Sequence, residues 1–198
     1  MGDMSNNTAY IKFFTGLNEA SVNALMSGVQ QKLAQGVNQI VLLISSPGGS
    51  VSHGLSAYNF LKGVPTEVVT HNFGSVDSMA VVLFCAGDRR FSVPHARFLL
   101  HGIQTSFPQG ATLEEDQLEE RLKSLKIDIE NIAGVIAANT GRSEQDVTQD
   151  ILNRRTLNPE QAVEYGLVHE IKEELLPAGV ELLSIVQGQS PPPRPATP

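Results

Sequence analysis

Five apolar side chains in a row occupy residues 40–44, within the segment Gln-Ile-Val-Leu-Leu-Ile-Ser at 39–45. A strand that is covered on one face only alternates apolar and polar residues, so consecutive apolar residues predict a strand buried on both faces. Such strands are typical of a parallel sheet between layers of helices. The strand ends at Ser-Pro-Gly-Gly-Ser, residues 46–50, and a helical pattern follows over 51–61. This stretch favours an α/β fold.

The same order of strand and helix recurs along the chain. A strand at 9–14 and a helix capped by Asn18 come first, and a second buried strand is predicted at 66–71. The segment 74–80, Gly-Ser-Val-Asp-Ser-Met-Ala, then leads into an apolar helix that Gly87 ends. Two short strands, 89–93 and 97–101, follow. Repeated strand–helix units predict an α/β domain with a largely parallel sheet.

The length of 198 residues suits one well-packed domain and leaves no room for two. We expect a flexible lead over residues 1–8 and a folded domain over 9–176. The last stretch, 177–198, is rich in Pro, Gln and Ser near its end and is expected to be a disordered tail.

Charge and cysteine content restrict the partners and the compartment. The net charge is −7 and no cluster of Lys and Arg offsets it, which argues against nucleic-acid binding and favours protein or peptide partners. The lone Cys85 lies in an apolar run and cannot form an internal disulfide, so a reducing compartment is expected. The polar first residues and the lack of a membrane-length apolar run predict a cytoplasmic protein.

Ser78 stands where a predicted strand passes into a helix. The free N–H groups and the dipole at a helix N-terminus favour developing negative charge, which suits a serine whose reaction forms an oxyanion. The simpler interpretation is that Ser78 only caps the helix. Gly48 and Gly49 lie on the preceding strand-to-helix turn, where backbone amides could converge on an oxygen, although most such pairs only reverse the chain.

His101 is the histidine whose position most suggests chemistry. It ends an apolar strand directly before Gly102, so its ring is expected at the carboxyl edge of the sheet, where open α/β folds bind ligands. From there it could reach a serine at the end of a neighbouring strand; the alternative is a structural histidine. Neither a His-Glu-x-x-His motif nor paired cysteines occur, and we expect no metal or other cofactor.

A long helix is predicted from Thr112, where Thr-Leu-Glu-Glu forms a capping box, to Asn139. Its apolar residues step by four and three along one narrow stripe. The stripe consists of Leu118, Leu122, Leu125, Ile129, Ile132 and Ile136. Such a helix either projects from the domain to meet a partner or lies on its own sheet.

The motifs together resemble the proteolytic subunit of the Clp protease. They are Ser-Pro-Gly-Gly-Ser at 46–50, Gly-x-x-x-Ser-Met-Ala at 74–80, Leu-Leu-His at 99–101, the long helix after 109–112, Thr140-Gly141, and Pro-Glu-Gln-Ala-Val-Glu-Tyr-Gly-Leu at 159–167. The resemblance covers about residues 11–171. It implies a ClpP/crotonase fold and a serine endopeptidase that cleaves peptides or unfolded chains.

The resemblance also implies assembly into heptameric rings stacked face to face, with the catalytic sites inside. Residues 102–139 match the family's handle, which interlocks two rings. An unfoldase ATPase is the implied partner; family members meet it with an N-terminal loop, and here the lead before the first strand is short.

Carried over by position, the resemblance makes Ser78 the nucleophile, His101 the general base, and Gly49 and Met79 the oxyanion-hole donors. The family's third catalytic residue is an aspartate, and a gap-free alignment over 141–157 places Arg154 there. Asn153 is the nearest substitute. An asparagine can orient an imidazole but cannot stabilise its cation by charge.

Three alternatives stay open at this point. Asp150 is another candidate for the third catalytic residue if the local fold shifts. A catalytically impaired ring subunit that serves as a scaffold would explain the missing aspartate. An acyl-CoA enzyme of the related crotonase fold would use a similar glycine turn, but it predicts an acidic catalytic group near that turn, and the sequence offers no candidate for one.

Overall fold

The computed structural model describes residues 7–104, 107, 109–110 and 112–186. Strands and helices alternate through the first half, and helices dominate the second. In chain order the elements are β1 Thr8–Phe14, α1 Glu19–Ala34, β2 Gln39–Ser46, α2 Val51–Gly63, β3 Glu67–Asp77, α3 Met79–Phe84, β4 Arg89–Ser92, β5 Arg97–Leu99, α4 Glu115–Thr140, α5 Glu144–Leu152, β6 Thr156–Leu157, α6 Pro159–Glu164, β7 Glu170–Ile171 and β8 Leu182–Val186.

The eight strands of the described residues form one sheet. Its main path runs β6-β5-β3-β2-β1-β8, while β4 pairs with β3 and with β7. Every pairing is parallel except that of β5 with β6. The predicted α/β fold with a largely parallel sheet is therefore confirmed.

The central strand β2 is buried along its whole length, as its consecutive apolar residues predict. Ile40, Leu42 and Ile44 face the main core, which α1, α2 and α3 cover. Val41 and Leu43 face the other side, where a smaller cluster forms. Because both faces are covered, any polar residue in the middle of this strand would lose its hydration without a replacement partner.

Strand β3 is longer than the sequence predicts, reaching Asp77 instead of ending at 71. Its first part pairs with β4 and its last part, from Ser75 to Asp77, pairs with β5. Asn72 holds the junction because its side-chain oxygen accepts from Gly74 N at 2.9 Å and its amide donates to Arg97 O at 2.9 Å. The strand thus carries the chain to the carboxyl edge of the sheet.

The sequence predicts a disordered tail over residues 177–198, and this prediction is wrong for the five residues 182–186. Leu182–Val186 forms β8, which pairs in parallel with β1 and buries Ile185 in the core. The open edge of β1 supplies hydrogen-bond partners that composition alone does not reveal. Residues 187–198 lie outside the described residues. At the N-terminal end, β1 begins at Thr8, which is the last residue of the predicted flexible lead. Residues 1–6 of that lead also lie outside the described residues.

Helix α4 begins three residues later than predicted. Glu114 precedes it, and its backbone N–H donates to the Gln117 side chain at 3.1 Å, so the capping box predicted at Thr112 does not start the helix. The apolar stripe divides along the helix. Leu118 and Leu122 are 50% and 53% exposed, whereas Ile136 is buried in the main core. The helix both projects and packs on its own domain, at opposite ends.

The buried side chain of Arg90 ties three helix ends together. Its guanidinium donates to the carbonyl oxygens of Gly87, Asn139, Gly166 and Leu167. Burial lowers the pKa of Arg90. The four carbonyls replace the water that the cation loses on burial.

The predicted burial of Cys85 is confirmed, and it raises the pKa of the thiol to about 12. Within the described residues, none of the helices combines the length and the hydropathy that crossing a bilayer requires.

Candidate active site

A cleft of about 410 Å³ opens at the carboxyl ends of β2, β3 and β5. Four residues singled out from the sequence line it: Gly49, Ser78, Met79 and His101. They arrive from three separate regions of the chain. The sheet brings them together because parallel strands place their carboxyl ends at one edge.

Ser78 occupies a sharp turn between β3 and α3. Its backbone has φ 58° and ψ −128°, and Arg154 is the one other non-glycine residue with positive φ in the described part of the chain. Ser78 N donates to Leu99 O at 2.7 Å, which fixes the turn against β5. The side chain makes no capping hydrogen bond, so the simple N-cap interpretation does not explain this residue. A strained strand-to-helix turn that projects a hydroxyl is the geometry of a nucleophile elbow.

His101 lies beside that turn. Leu99 is the register partner of Asp77, so the histidine follows the strand end two residues later. Its Nδ1 lies 2.7 Å from Gly102 O. A carbonyl oxygen only accepts, so this contact requires the proton on Nδ1 and leaves Nε2 as the basic nitrogen. No hydrogen bond joins Ser78 Oγ to the ring in the described structure; unliganded catalytic pairs often tighten only when substrate binds.

The glycine turn packs directly against the serine turn. Gly48 has φ 86°, and a Cβ there would lie 2.7 Å from Ser78 Cβ. Leu17 N donates to Gly48 O at 2.8 Å and Ser50 N donates to Leu17 O at 2.9 Å. Neither bond uses the Gly49 N–H.

Met79 supplies the second amide at the cleft. It is the first residue of α3, and the N–H groups of a first helical turn have no partner within the helix. Gly49 and Met79 both line the cleft. Gly49 and Met79, from neighbouring turns, thus border the same cleft, and their N–H groups are candidate oxyanion donors.

One wall of the cleft is apolar. Ile132 and Ile136 come from α4, Ile151 comes from α5, and Leu100 and Val51 complete the surface. The lining residues that the structure describes include no Asp, Glu, Lys or Arg. In the described part of the chain, no group of three or more His, Cys, Asp or Glu is arranged to hold a metal ion.

Within the described residues, the expected third residue makes no hydrogen bond to His101 and does not line the cleft. Asn153 is exposed and follows α5, where its backbone N–H donates to Gln149 O. Arg154 is exposed as well, with φ 55°.

Asp150 is engaged elsewhere. Its carboxylate accepts from Arg155 at 2.8 Å and from the Tyr165 hydroxyl at 2.8 Å. The hydrogen bond to Asp150 raises the pKa of the Arg155 guanidinium. In this structure a backbone carbonyl holds His101 Nδ1, and none of these side chains does.

Asp77 is a buried charged residue directly before Ser78, outside the cleft lining, that the sequence analysis did not single out. Its side chain is buried, and Oδ2 accepts from Arg97 at 2.6 Å. Burial raises the pKa of the Asp77 carboxyl, and Arg97 and then the charge on His101 oppose that rise. The available signal was a carboxylate directly ahead of the candidate nucleophile.

Comparison with known proteins identifies the family of the chain. The sequence profile of the family described as "Clp protease" matches residues 8–174. The chain is similar to "ATP-dependent Clp protease proteolytic subunit 1" of Streptomyces avermitilis, at 37% identity over 139 residues, which are 69% of this chain and 62% of the relative. It is also similar to "ATP-dependent Clp protease proteolytic subunit 2" of Corynebacterium diphtheriae, at 35% identity over 137 residues, 68% of this chain and 66% of the relative.

The match therefore spans less than two thirds of the length of these curated relatives. The profile nevertheless covers well over half of the chain, including every strand from β1 to β7 and the whole cleft. The family predicted from the sequence is confirmed. The chain belongs to the Clp protease family.

Proposed function

We propose that this chain is a serine endopeptidase that hydrolyses peptides or unfolded protein chains. The observation that carries the proposal is the convergence of Ser78 with His101 and the Gly49 and Met79 amides on one cleft. Ser78 holds a strained φ of 58° there without making a capping bond. A purely structural serine would gain nothing from that backbone conformation.

In the acylation step, Ser78 Oγ attacks the carbonyl carbon of the scissile peptide bond. His101 Nε2 accepts the hydroxyl proton, because Nδ1 already carries the proton that it donates to Gly102 O. The carbonyl oxygen becomes an oxyanion and accepts from the Gly49 and Met79 N–H groups. Each such donor typically lowers the barrier by about 3 to 4 kcal/mol.

Collapse of this intermediate breaks the C–N bond. The His101 imidazolium gives its proton to the leaving amine, and Ser78 keeps the acyl group as an ester. Water then attacks the ester, with Nε2 again as the base, and the same two amides hold the second oxyanion. The carboxylic acid leaves and Ser78 regains its proton.

The cleft favours an apolar substrate side chain next to the cleaved bond. Ile132, Ile136 and Ile151 line the cleft together with Ser78, and a charged side chain would lose hydration there without a partner. A cleft of about 410 Å³ admits medium and large apolar residues. We expect leucine or methionine substrates to react faster than aspartate substrates.

Assembly into stacked heptameric rings is part of the proposal. The outer part of α4 exposes Leu118, Leu122 and Ile127, which a lone subunit would leave in water. Contact between the α4 helices of two rings would cover these residues and enclose the cleft. An unfoldase ATPase would then deliver substrates, and the chamber would work in the cytoplasm.

Labelling with a fluorophosphonate probe tests the assigned nucleophile. The wild-type oligomer should react at Ser78, and Ser78→Ala should lose this labelling. Hydrolysis of an apolar reporter peptide should also be lost, because removing the nucleophile of a serine-protease triad lowers kcat by about a millionfold. Ser56→Ala is the matched control, since this exposed helical serine only donates to Ser52 O.

A folded oligomer that refuses the probe and hydrolyses nothing would contradict the peptidase and favour the scaffold subunit. Undiminished turnover in Ser78→Ala would exclude the assigned nucleophile while leaving peptidase activity in place.

A further inference from the structure

The aspartate of a serine-protease triad has two tasks: it holds the histidine in the correct tautomer, and its charge stabilises the imidazolium. In this structure Gly102 O performs the first task through the 2.7 Å contact with His101 Nδ1. A carbonyl carries no net charge, so the second task needs another group. Asn153 is neutral and exposed, and both oxygens of Asp150 already have partners, Arg155 and the Tyr165 hydroxyl.

Asp77 has the features that the second task requires. Its side chain is only 10% exposed, and Oδ2 pairs with Arg97. Oδ1 is buried and has no hydrogen-bond partner within the described part of the chain. Leaving a carboxylate oxygen unpaired in the interior costs stability, so its retention needs a reason.

The position of Asp77 in the sheet places it against the catalytic pair. It directly precedes Ser78, and its register partner on β5 is Leu99, two residues before His101. Of the charges that lower the pKa of the Asp77 carboxyl, that of a protonated His101 acts after Arg97 and is the smallest. Coupling between two sites is reciprocal, so the carboxylate stabilises the imidazolium by the same free energy.

We propose that Asp77 is a positioning residue that supplies the negative charge for the His101 imidazolium, while Gly102 O sets the tautomer. The two tasks of the usual triad aspartate are thus divided between a side chain on β3 and a backbone carbonyl after β5. This inference rests on the proposed peptidase function, but its physical core is the coupling of Asp77 to His101.

Two positive groups act on the Asp77 carboxylate, Arg97 from β5 and His101 beyond the same strand. Arg97 is 55% exposed at its side chain, so water replaces the ion pair when it is removed. The two neighbours therefore allow substitutions with opposite effects. Asp77→Asn removes an anion from the surroundings of His101, and Arg97→Gln removes a cation.

An NMR titration of the His101 imidazole in the assembled protein measures the coupling without catalysis, with His101→Gln as the assignment control. Asp77→Asn should move the midpoint to lower pH, because it removes an anion from the surroundings of the imidazolium. Arg97→Gln should move it to higher pH. An unchanged midpoint in Asp77→Asn would overturn the proposal.

Hydrolysis of the reporter peptide supplies the second readout. Asp77→Asn should lower kcat by roughly ten- to a hundredfold, less than the ten-thousandfold loss of a whole triad aspartate, because Gly102 O still holds the tautomer. KM should change little, the acid limb of the pH–rate profile should shift to lower pH, and Asp77→Glu should recover part of the rate. Full activity with an unmoved acid limb would also overturn the proposal.

These results separate the two proposals. If the wild-type protein neither labels nor hydrolyses but the titration still shifts with Asp77→Asn, the peptidase fails and the coupling stands. If Ser78→Ala abolishes activity while Asp77→Asn changes neither readout, the peptidase stands and Asp77 has no part in it.

Discussion

Two strand-to-helix turns meet at the cleft, and they solve the same geometric problem in different ways. The turn from β2 to α2 uses glycine, with φ 86° at Gly48 and 150° at Gly49. The turn from β3 to α3 uses a serine at φ 58°. Glycine adopts positive φ readily, whereas a residue with a Cβ pays roughly 1–3 kcal/mol in a sparsely populated backbone region.

The residue type at positive φ reflects what each turn contributes to the cleft. The glycine turn must come close: a Cβ on Gly48 would lie 2.6 Å from Asp77 O, and one on Gly49 would overlap the Leu17 carbonyl oxygen. It presents backbone and no side chain. The serine turn keeps its strain because a glycine there would offer no hydroxyl. The glycine turn is explained by close approach, and the serine turn is explained by the proposed catalytic role of its hydroxyl.

Of the substitutions in these two turns, Gly49→Ala should cause the largest loss of stability. The added Cβ meets backbone atoms of Leu17, which cannot move aside as a flexible side chain could, and φ 150° is unfavourable for alanine. We expect a loss of about 3 kcal/mol or more in the free energy of unfolding, together with loss of peptide hydrolysis. Urea denaturation measures the first and the reporter peptide the second.

Gly63→Ala is the matched control for that substitution. It lies at the end of α2, where a Cβ would meet nothing within 4 Å. Its stability should stay within about 0.5 kcal/mol of the wild type. Equal stability of the two variants would show that the glycine turn is not constrained by close approach.

Ser78→Gly should stabilise the protein while it abolishes catalysis. Glycine relieves the positive φ, and after its greater chain entropy in the unfolded state is counted we expect a net gain of about 1 kcal/mol, or roughly 2–4 °C in Tm. Ser78→Ala removes the same hydroxyl but keeps the strain, so its Tm should stay near that of the wild type. Thermal unfolding of the pair isolates the backbone contribution; a lower Tm for the glycine variant would argue against strain at the elbow.

The smallest expected effect is the pH dependence that Asp77 adds to stability. Its pKa in the folded state is raised by burial above the ordinary value of 3.8, so the folded protein favours the protonated carboxyl. This contribution is fully present below the ordinary value and is lost as the pH rises through the raised one. Asp77→Asn cannot ionise, so its Tm relative to wild type should rise from about pH 4 upward.

Scans of both proteins between pH 4 and pH 7 measure that difference. A difference that falls over this range would mean that the folded state stabilises the Asp77 carboxylate. The attraction of Arg97 would then outweigh the cost of burying the charge.

The parts of the fold that were predictable from the sequence depend on local patterns. Consecutive apolar residues identified β2, and the Gly48–Gly49 and Ser78 turns could be located because glycine, proline and small polar residues punctuate apolar runs. The expectation of one sheet edge for Ser78 and His101 followed from parallel pairing. These features need no knowledge of distant contacts.

The parts that were missed depend on distant partners. β8 forms because β1 leaves an edge open, and β3 continues through polar residues because the Asn72 side chain satisfies the neighbouring backbone. The group that holds His101 Nδ1 is a carbonyl, which every residue carries and no sequence pattern marks. The same is true of the unpaired oxygen of Asp77, which becomes visible only when its burial is known.

A crystal structure of the protein after reaction with a peptidyl phosphonate would test the central claim most directly. Phosphorus should be bonded to Ser78 Oγ, and the phosphonyl oxygen should lie about 2.7–3.1 Å from both Gly49 N and Met79 N, with His101 Nδ1 still on Gly102 O. An adduct on another residue, or an oxygen that points away from both amides, would contradict the assigned site.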